Sequence, residues 1–255
     1  QAAKNSGLVT NTWVSSFRSS DFLAKDLLDF QKWSFTDAWN HFIYCEIIKS
    51  MGGIPYETKE AQTFLTRGDL SGFPPSFSRA KNAAKPLLGN LFGLVPDGSN
   101  QIFIASGCLG FWDLTRLQLS LKQFPYLFSP SIKIDDNAVN DLARREMNFE
   151  LGENQFESLL DEFIPQNIPV VYVEGYAKAH ARSIEAFSKR PKVIFYGGSI
   201  YSDEGFKFWA AYQAEQGTKL YCHQYGGGYG CLRWHSLESH EIKISDRYFS
   251  WGWLI

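Results

Sequence analysis

The chain has 255 residues, of which 44% are hydrophobic and 20% charged, with a formal net charge of −2. That balance belongs to an ordinary soluble protein and excludes the basic excess expected of a nucleic-acid binder. No apolar run reaches the roughly 18 residues needed to cross a bilayer.

The length allows one large domain or two small ones. Aromatic residues make up 16% and include eight tryptophans, a content that suits a large core as well as carbohydrate stacking. Cys45, Cys108, Cys222 and Cys231 are scattered with no C-x-x-C pair. No disulfide framework or zinc ribbon is signalled, and a reducing cytoplasm is the simplest home. The chain opens at Gln1 without an initiator methionine and stops at Leu254-Ile255, directly after a strand-like stretch. An internal piece of a longer protein is therefore expected.

In chain order, residues 1–35 read as polar and irregular. Thr36 can cap a helix over Ala38 to Met51, ended by Gly52-Gly53, with Phe42, Cys45, Ile48 and Met51 facing a core. His41 on that helix is expected to satisfy a local hydrogen bond. Residues 52–75 read as loop. A helix over Ser78 to Leu94 should break near Lys85, because Pro86 follows. Gln101 to Ala105 is a short apolar run of the kind found in buried parallel strands. The turn Ser106 to Gly110 leads into a helix marked by Leu114, Leu117 and Leu121, making one βα unit.

Residues 136–165 are helical in character, with Arg144 and Arg145 on a solvated face. Ile168 to Val173 is apolar, and a helix follows to Ser188. Lys192 to Tyr196 is the next buried strand, and Gly197-Gly198 turns it. Ser202 should cap a helix carrying Phe206, Trp209, Ala210 and Gln213, with Gly217 closing it. Lys219 to Tyr225 alternates as a strand. Strand, helix, strand at this spacing is a right-handed βαβ crossover, so the fold class is α/β: a Rossmann-like parallel sheet with helices on both faces.

The last strand runs into Gly226-Gly227-Gly228, with Gly230 one residue further, and then into Glu238, His240, Glu241 and Asp246. Successive glycine amides can form an anion nest. Glu238, His240 and Glu241 are residue types able to act as a general base, and Tyr229 and Trp234 could stack on a sugar ring. The alternative is a tight turn with Glu238 and Glu241 exposed on a helical face. Cys222, His223, Cys231, His235 and His240 lie close in sequence but straddle a strand and a loop, so no metal site is expected. No G-x-S-x-G elbow is present, so a serine hydrolase is not expected either.

The combination of Tyr201-Ser202-Asp203-Glu204, the Gln224 to Gly230 loop, Glu238-Ser239-His240-Glu241, Ile244 to Tyr248 and Trp251-Gly252-Trp253 resembles a family of transferases encoded in bacterial surface-polysaccharide and O-antigen gene clusters. That family was first defined on spirochaete sequences. The resemblance is strongest from Tyr196 to Trp253 and looser over Asn100 to Tyr176.

It implies the first Rossmann-like half of a glycosyltransferase-B-like enzyme and its crossover. Residues 1–75 would be an irregular and helical segment of the first domain, 76–235 the Rossmann-like domain, and 236–255 the crossover and start of a truncated second one. It further implies a cytoplasmic enzyme, working at the inner face of the membrane where its acceptor is anchored. The partners would be a nucleotide-sugar donor and a glycan or lipid-linked acceptor, with no nucleic acid and no cofactor beyond the nucleotide-activated donor as substrate.

The implied catalytic set is Glu238, Glu241, His240 and His223, and the implied substrate-binding set is Gln224, Tyr225, Gly226, Gly227, Gly228, Tyr229, Gly230, Trp234 and Asp246. One departure stands out: the family loop reads Gln-His-Gly-Gly, and Tyr225 occupies the histidine position. His223 on the same face of the strand can compensate, the loop histidine need not be catalytic, or this copy is inactive. A non-catalytic carbohydrate-binding or scaffolding α/β module is the second reading.

Overall fold

The computed structural model describes residues 12–17, 19–60, 101–106, 109–125, 132–152 and 154–252. The helix expected over Ser78 to Leu94, with its break near Lys85, lies outside them. The described residues form six strands: β1 Trp13–Ser16, β2 Glu57–Glu60, β3 Ile102–Ser106, β4 Val193–Gly197, β5 Lys219–His223 and β6 Arg247–Phe249. The helices are α1 Ser19–Phe22, α2 Leu27–Ser34, α3 Asp37–Met51, α4 Phe111–Ser120, α5 Asp141–Arg145, α6 Gln155–Asn167, α7 Tyr176–Ala186, α8 Ser199–Ser202, α9 Glu204–Glu215 and α10 Ser236–Ile244. The fold is α/β, with parallel sheets and helices on both sides. The chain divides into two compact units, one of Gln1–Ser76 with Ile134–Tyr176 and one of Phe77–Lys133 with Ala177–Ile255.

In the first unit β1 and β2 pair in parallel, from Trp13 opposite Glu57 to Ser16 opposite Glu60. Neither strand was expected, and the reason is composition: β2 is Glu-Thr-Lys-Glu, exposed throughout, so its ladder rests on backbone bonds without an apolar face. Asp26 caps α2 by accepting the Asp29 N–H at 2.8 Å. Thr36 caps α3 as expected, accepting the Trp39 N–H at 3.2 Å. Phe42 and Cys45 of α3 are buried. Phe22 stacks on Phe42 with ring centroids 4.8 Å apart, inside a cluster with Trp33 and Ala38. His41 Nε2 lies 3.0 Å from Ser15 Oγ, the local bond expected of it.

Arg144 reverses its expected solvated place. It is buried, and its Nε and Nη2 each meet a carboxylate oxygen of Glu174 at 2.7 Å. Its Nη1 donates to the carbonyls of Pro165 at 2.8 Å and Ile168 at 2.9 Å. Those carbonyls lie at the end of α6, where carbonyls run out of helical partners, so one guanidinium both pairs a buried carboxylate and caps a helix. Burial alone would raise the Glu174 pKa. Its bonds from Arg144 and from the Asn140 N–H outweigh that and hold it below the ordinary carboxylate value.

In the second unit the strands run in the order β3-β4-β5-β6, all parallel. The three apolar runs read from the sequence thus share one sheet, each within two residues of its expected bounds. Side chains alternate across it. Phe103, Ala105, Ile194, Tyr196, Leu220 and Cys222 form the core with Phe187, Ile200, Phe206, Trp209 and Ala210. Trp209 is fully buried, with its ring 4.8 Å from Phe103 and 5.0 Å from Phe187. Asp203 rather than Ser202 caps α9, accepting the Phe206 N–H at 2.9 Å. Along β3, the Gln123 amide accepts the Ile102 N–H at 2.7 Å and donates to its carbonyl at 2.9 Å.

Candidate functional site

Parallel strands end with their carbonyl edges and following turns on one side of the sheet, where ligands of α/β proteins collect. Here the ends of β4, β5 and β6 carry Gly197, His223 and Phe249, the last two directly paired. His223 leaves the sheet on the face opposite the Trp209 core. Its ring stacks on Phe195 at 5.1 Å. Nδ1 lies 2.9 Å from the Gln224 carbonyl oxygen, which can only accept, so Nδ1 carries the proton and Nε2 is the basic nitrogen of the neutral ring.

The turn after β4 explains its two glycines. A Cβ on Gly197 would lie 2.3 Å from His223 Nε2 and Cε1, and one on Gly198 would lie 2.8 Å from the Tyr225 ring. Gly198 also has φ +74°, a left-handed angle that favours glycine. The turn therefore has no room for side chains because the rings of His223, at the end of β5, and Tyr225, just past it, fill it. Gly197→Ala is expected to displace the His223 ring while leaving β4 paired. A shifted His223 imidazole resonance with unchanged strand amide resonances would show this, and an unmoved imidazole would show that the contact has slack.

The glycine loop is held from three sides. Gln224 is buried; its Nε2 donates to the Gly226 carbonyl and its Oε1 accepts the Trp251 N–H, both at 2.9 Å. The Gly230 N–H donates to Glu238 Oε1 at 2.9 Å. His235, at the cap position of α10, accepts the Glu238 N–H at 3.0 Å, an arrangement resembling a capping box. The Tyr229 ring packs beside His235 with centroids 4.6 Å apart and is almost fully buried.

Glu241 lies deepest, with no exposed surface. Neither carboxylate oxygen closes a hydrogen bond among the described residues, and neither do the hydroxyls of Tyr196 and Tyr229. The Tyr229 hydroxyl, the Cys222 thiol and the Gly198 N–H are the donors that bear on it most, but none has good bonding geometry. Burial pushes the Glu241 pKa up, against the partial help of those donors. Burial likewise raises Cys222, Tyr196 and Tyr229, with the Glu241 charge adding to each.

The structure thus brings His223, Tyr225 and Gly226 to Gly230 to one strand end, with Glu238 supporting the loop. Both Glu238 and Glu241 are buried, so the exposed helical face entertained for them does not exist. Gln224 acts as a strut, and Tyr229 faces inward instead of offering a stacking surface. Trp234 is 85% exposed, and His240 is also exposed.

Asp246 is not at the loop. It binds Lys219 Nζ at 2.7 Å and the Leu220 N–H at 2.9 Å, at the amino end of β5, about 13 Å of strand away from Gln224. Gly197, Gly198 and His235 were not singled out as site residues. The glycine pair after an apolar strand and the His-x-x-Glu spacing were the available signals. Among the described residues no group of three or more His, Cys, Asp or Glu side chains is arranged to hold a metal ion. No described helix is long and apolar enough to cross a membrane.

A family model described as LIC12162 family transferase matches residues 1–254. No curated protein and no solved structure matches the chain.

Proposed function

The chain belongs to the LIC12162 family of transferases, and from that membership we propose that it moves a glycosyl group from a nucleotide-activated donor to a glycan or lipid-linked acceptor. The observation that supports this reading is the meeting of an oriented histidine and a run of glycine amides at the carboxyl ends of parallel strands.

Glycosyl transfer needs a base for the acceptor hydroxyl and donors for the departing phosphate. His223 Nε2 takes the hydroxyl proton as the new glycosidic C–O bond forms. The bond from the sugar carbon to the donor phosphate breaks, and its electron pair leaves with the nucleotide. The N–H groups of Gly226, Gly227 and Gly228 receive that charge as a nest. The rings of His223 and Tyr225 both crowd the turn after β4, and on this reading His223 takes the role of the family's loop histidine.

On this reading the chain carries the first half of a glycosyltransferase-B-like enzyme acting in bacterial surface-polysaccharide synthesis. The work is done in the cytoplasm, at the membrane face where a lipid-linked acceptor is presented.

The test is to titrate the full-length protein with UDP-, GDP-, dTDP- and CMP-sugars in a calorimeter. Acceptor-dependent nucleotide release is then followed for those that bind. Binding of one nucleotide class, with release that needs a glycan or lipid-linked acceptor, is the expected result. Binding of none, or transfer of a non-sugar group from another donor, overturns the glycosyl assignment while leaving the transferase family intact.

A further inference from the structure

The carboxyl of Glu241 is the most deeply placed polar group beneath the glycine loop. It has no exposed surface, and its oxygens close no hydrogen bond among the described residues. An ionised carboxylate in such a place is very costly, so the group keeps its proton. Among the described residues the titratable groups around it are Tyr196 from β4, Tyr201 from α8, Cys222 from β5, Tyr229 from the loop, Tyr248 from β6, and Glu238 from its own helix. None of these carries a positive charge, so none offsets the charge of an ionised Glu241. Tyr229 is the group among them that belongs to the loop, and its hydroxyl lies on the Glu241 side of a buried ring.

We propose that Glu241 is a positioning residue that works as an uncharged acid, seating Tyr229 and with it the Gly226 to Gly230 loop. Ionisation of its carboxyl releases the loop from the strand end. The proposal rests on the reading of that loop as the donor-phosphate element. It differs from a catalytic role for Glu241, which buried in this way cannot touch a substrate.

The direction with pH follows from the burial. With its proton held more tightly when the loop is seated, Glu241 contributes full stability below its ordinary carboxylate value and loses it as pH rises through the raised one. Opening that releases one proton makes the opening constant rise about tenfold per pH unit across that window.

The experiment is hydrogen exchange of the full-length protein from mildly acidic to mildly alkaline pH, read at the Gly230 amide as a protection factor. The intrinsic pH dependence of exchange divides out of that factor. No donor is present, so the outcome is independent of what the loop binds. In the wild type, protection should fall about tenfold per pH unit within the window. Glu241→Gln keeps an uncharged side chain of the same shape, and its profile should be flat. A flat wild-type profile, or the same slope in Glu241→Gln, overturns the proposal. Should Glu241→Gln not fold, Glu241→Met, also uncharged and of similar length, takes its place, and a slope equal to that of the wild type overturns the proposal.

Discussion

Replacing His223 by glutamine is expected to lower turnover about 10²–10⁴-fold, the usual worth of a positioned general base. The expectation rests on the fixed tautomer. The bond from Nδ1 to the Gln224 carbonyl leaves Nε2 as the basic atom, and packing on Phe195 and Gly197 holds the ring in one orientation. Glutamine fills a similar volume but its amide cannot take a proton at neutral pH. Donor affinity should hardly change, because the loop amides and the Gln224 strut are untouched. The measurement is turnover under saturating donor alongside a donor titration. Wild-type turnover in this variant moves the base elsewhere, and Glu238, which accepts the Gly230 N–H, is then the carboxylate to test. A loss confined to donor affinity makes His223 a binding residue instead.

The second large effect is on stability. Arg144→Met should lower the unfolding free energy of the first unit by about 3–5 kcal/mol, the usual result of removing one partner from a buried ion pair. Three losses coincide: the Glu174 carboxylate is left buried and unpaired, and the Pro165 and Ile168 carbonyls lose their donor. Urea denaturation should show a lowered midpoint for the first unit with little change in slope.

The double replacement Arg144→Met with Glu174→Met should recover part of the loss, because no buried charge then remains. The pH dependence has a definite sign. Glu174 has a lowered pKa in the fold, so its contribution is full above the ordinary carboxylate value and disappears as pH falls through the lowered one. A single-variant cost under 1 kcal/mol would mean that water replaces the guanidinium.

What could be read from the sequence follows the physics of each element. β3, β4 and β5 were legible because buried parallel strands are short runs of apolar residues between turns. Thr36 was legible as a cap because its hydroxyl acts within three residues of itself. β2 was not, since a polar, exposed strand leaves no pattern in side chains, and β1 was not, since its four residues Trp-Val-Ser-Ser bury only Val14 and Ser15 and show no alternation. The burial of Arg144 was invisible because it depends on Glu174, brought near only by the fold.

The candidate site divides in the same way. The glycine loop at a strand end was legible from local sequence. Glu238 and Glu241 stand three apart on one helix, and periodicity shows that they share a face without saying that the face is inward. Asp246 was grouped with the loop by closeness in sequence. Parallel connections carry the chain from one end of the sheet to the other before each new strand, so neighbours in sequence part company in space.

The strand pairing also dictates an order of events during folding. β4, β5 and β6 follow one another through short helical connections, but Ile102 of β3 meets Val193 only after the chain has passed through Ile134–Tyr176 of the other unit. Closing so long an excursion costs more chain entropy than joining the three later strands. The later strands with α9 and α10 are therefore expected to form the nucleus, with β3 docking last and bringing α4 and the Gln123 side chain with it. In pulse-labelled refolding the amides of β3 should gain protection after those of β4 and β5. Until then β4 has a bare edge, and the half-made sheet is open to pairing with a strand of another molecule.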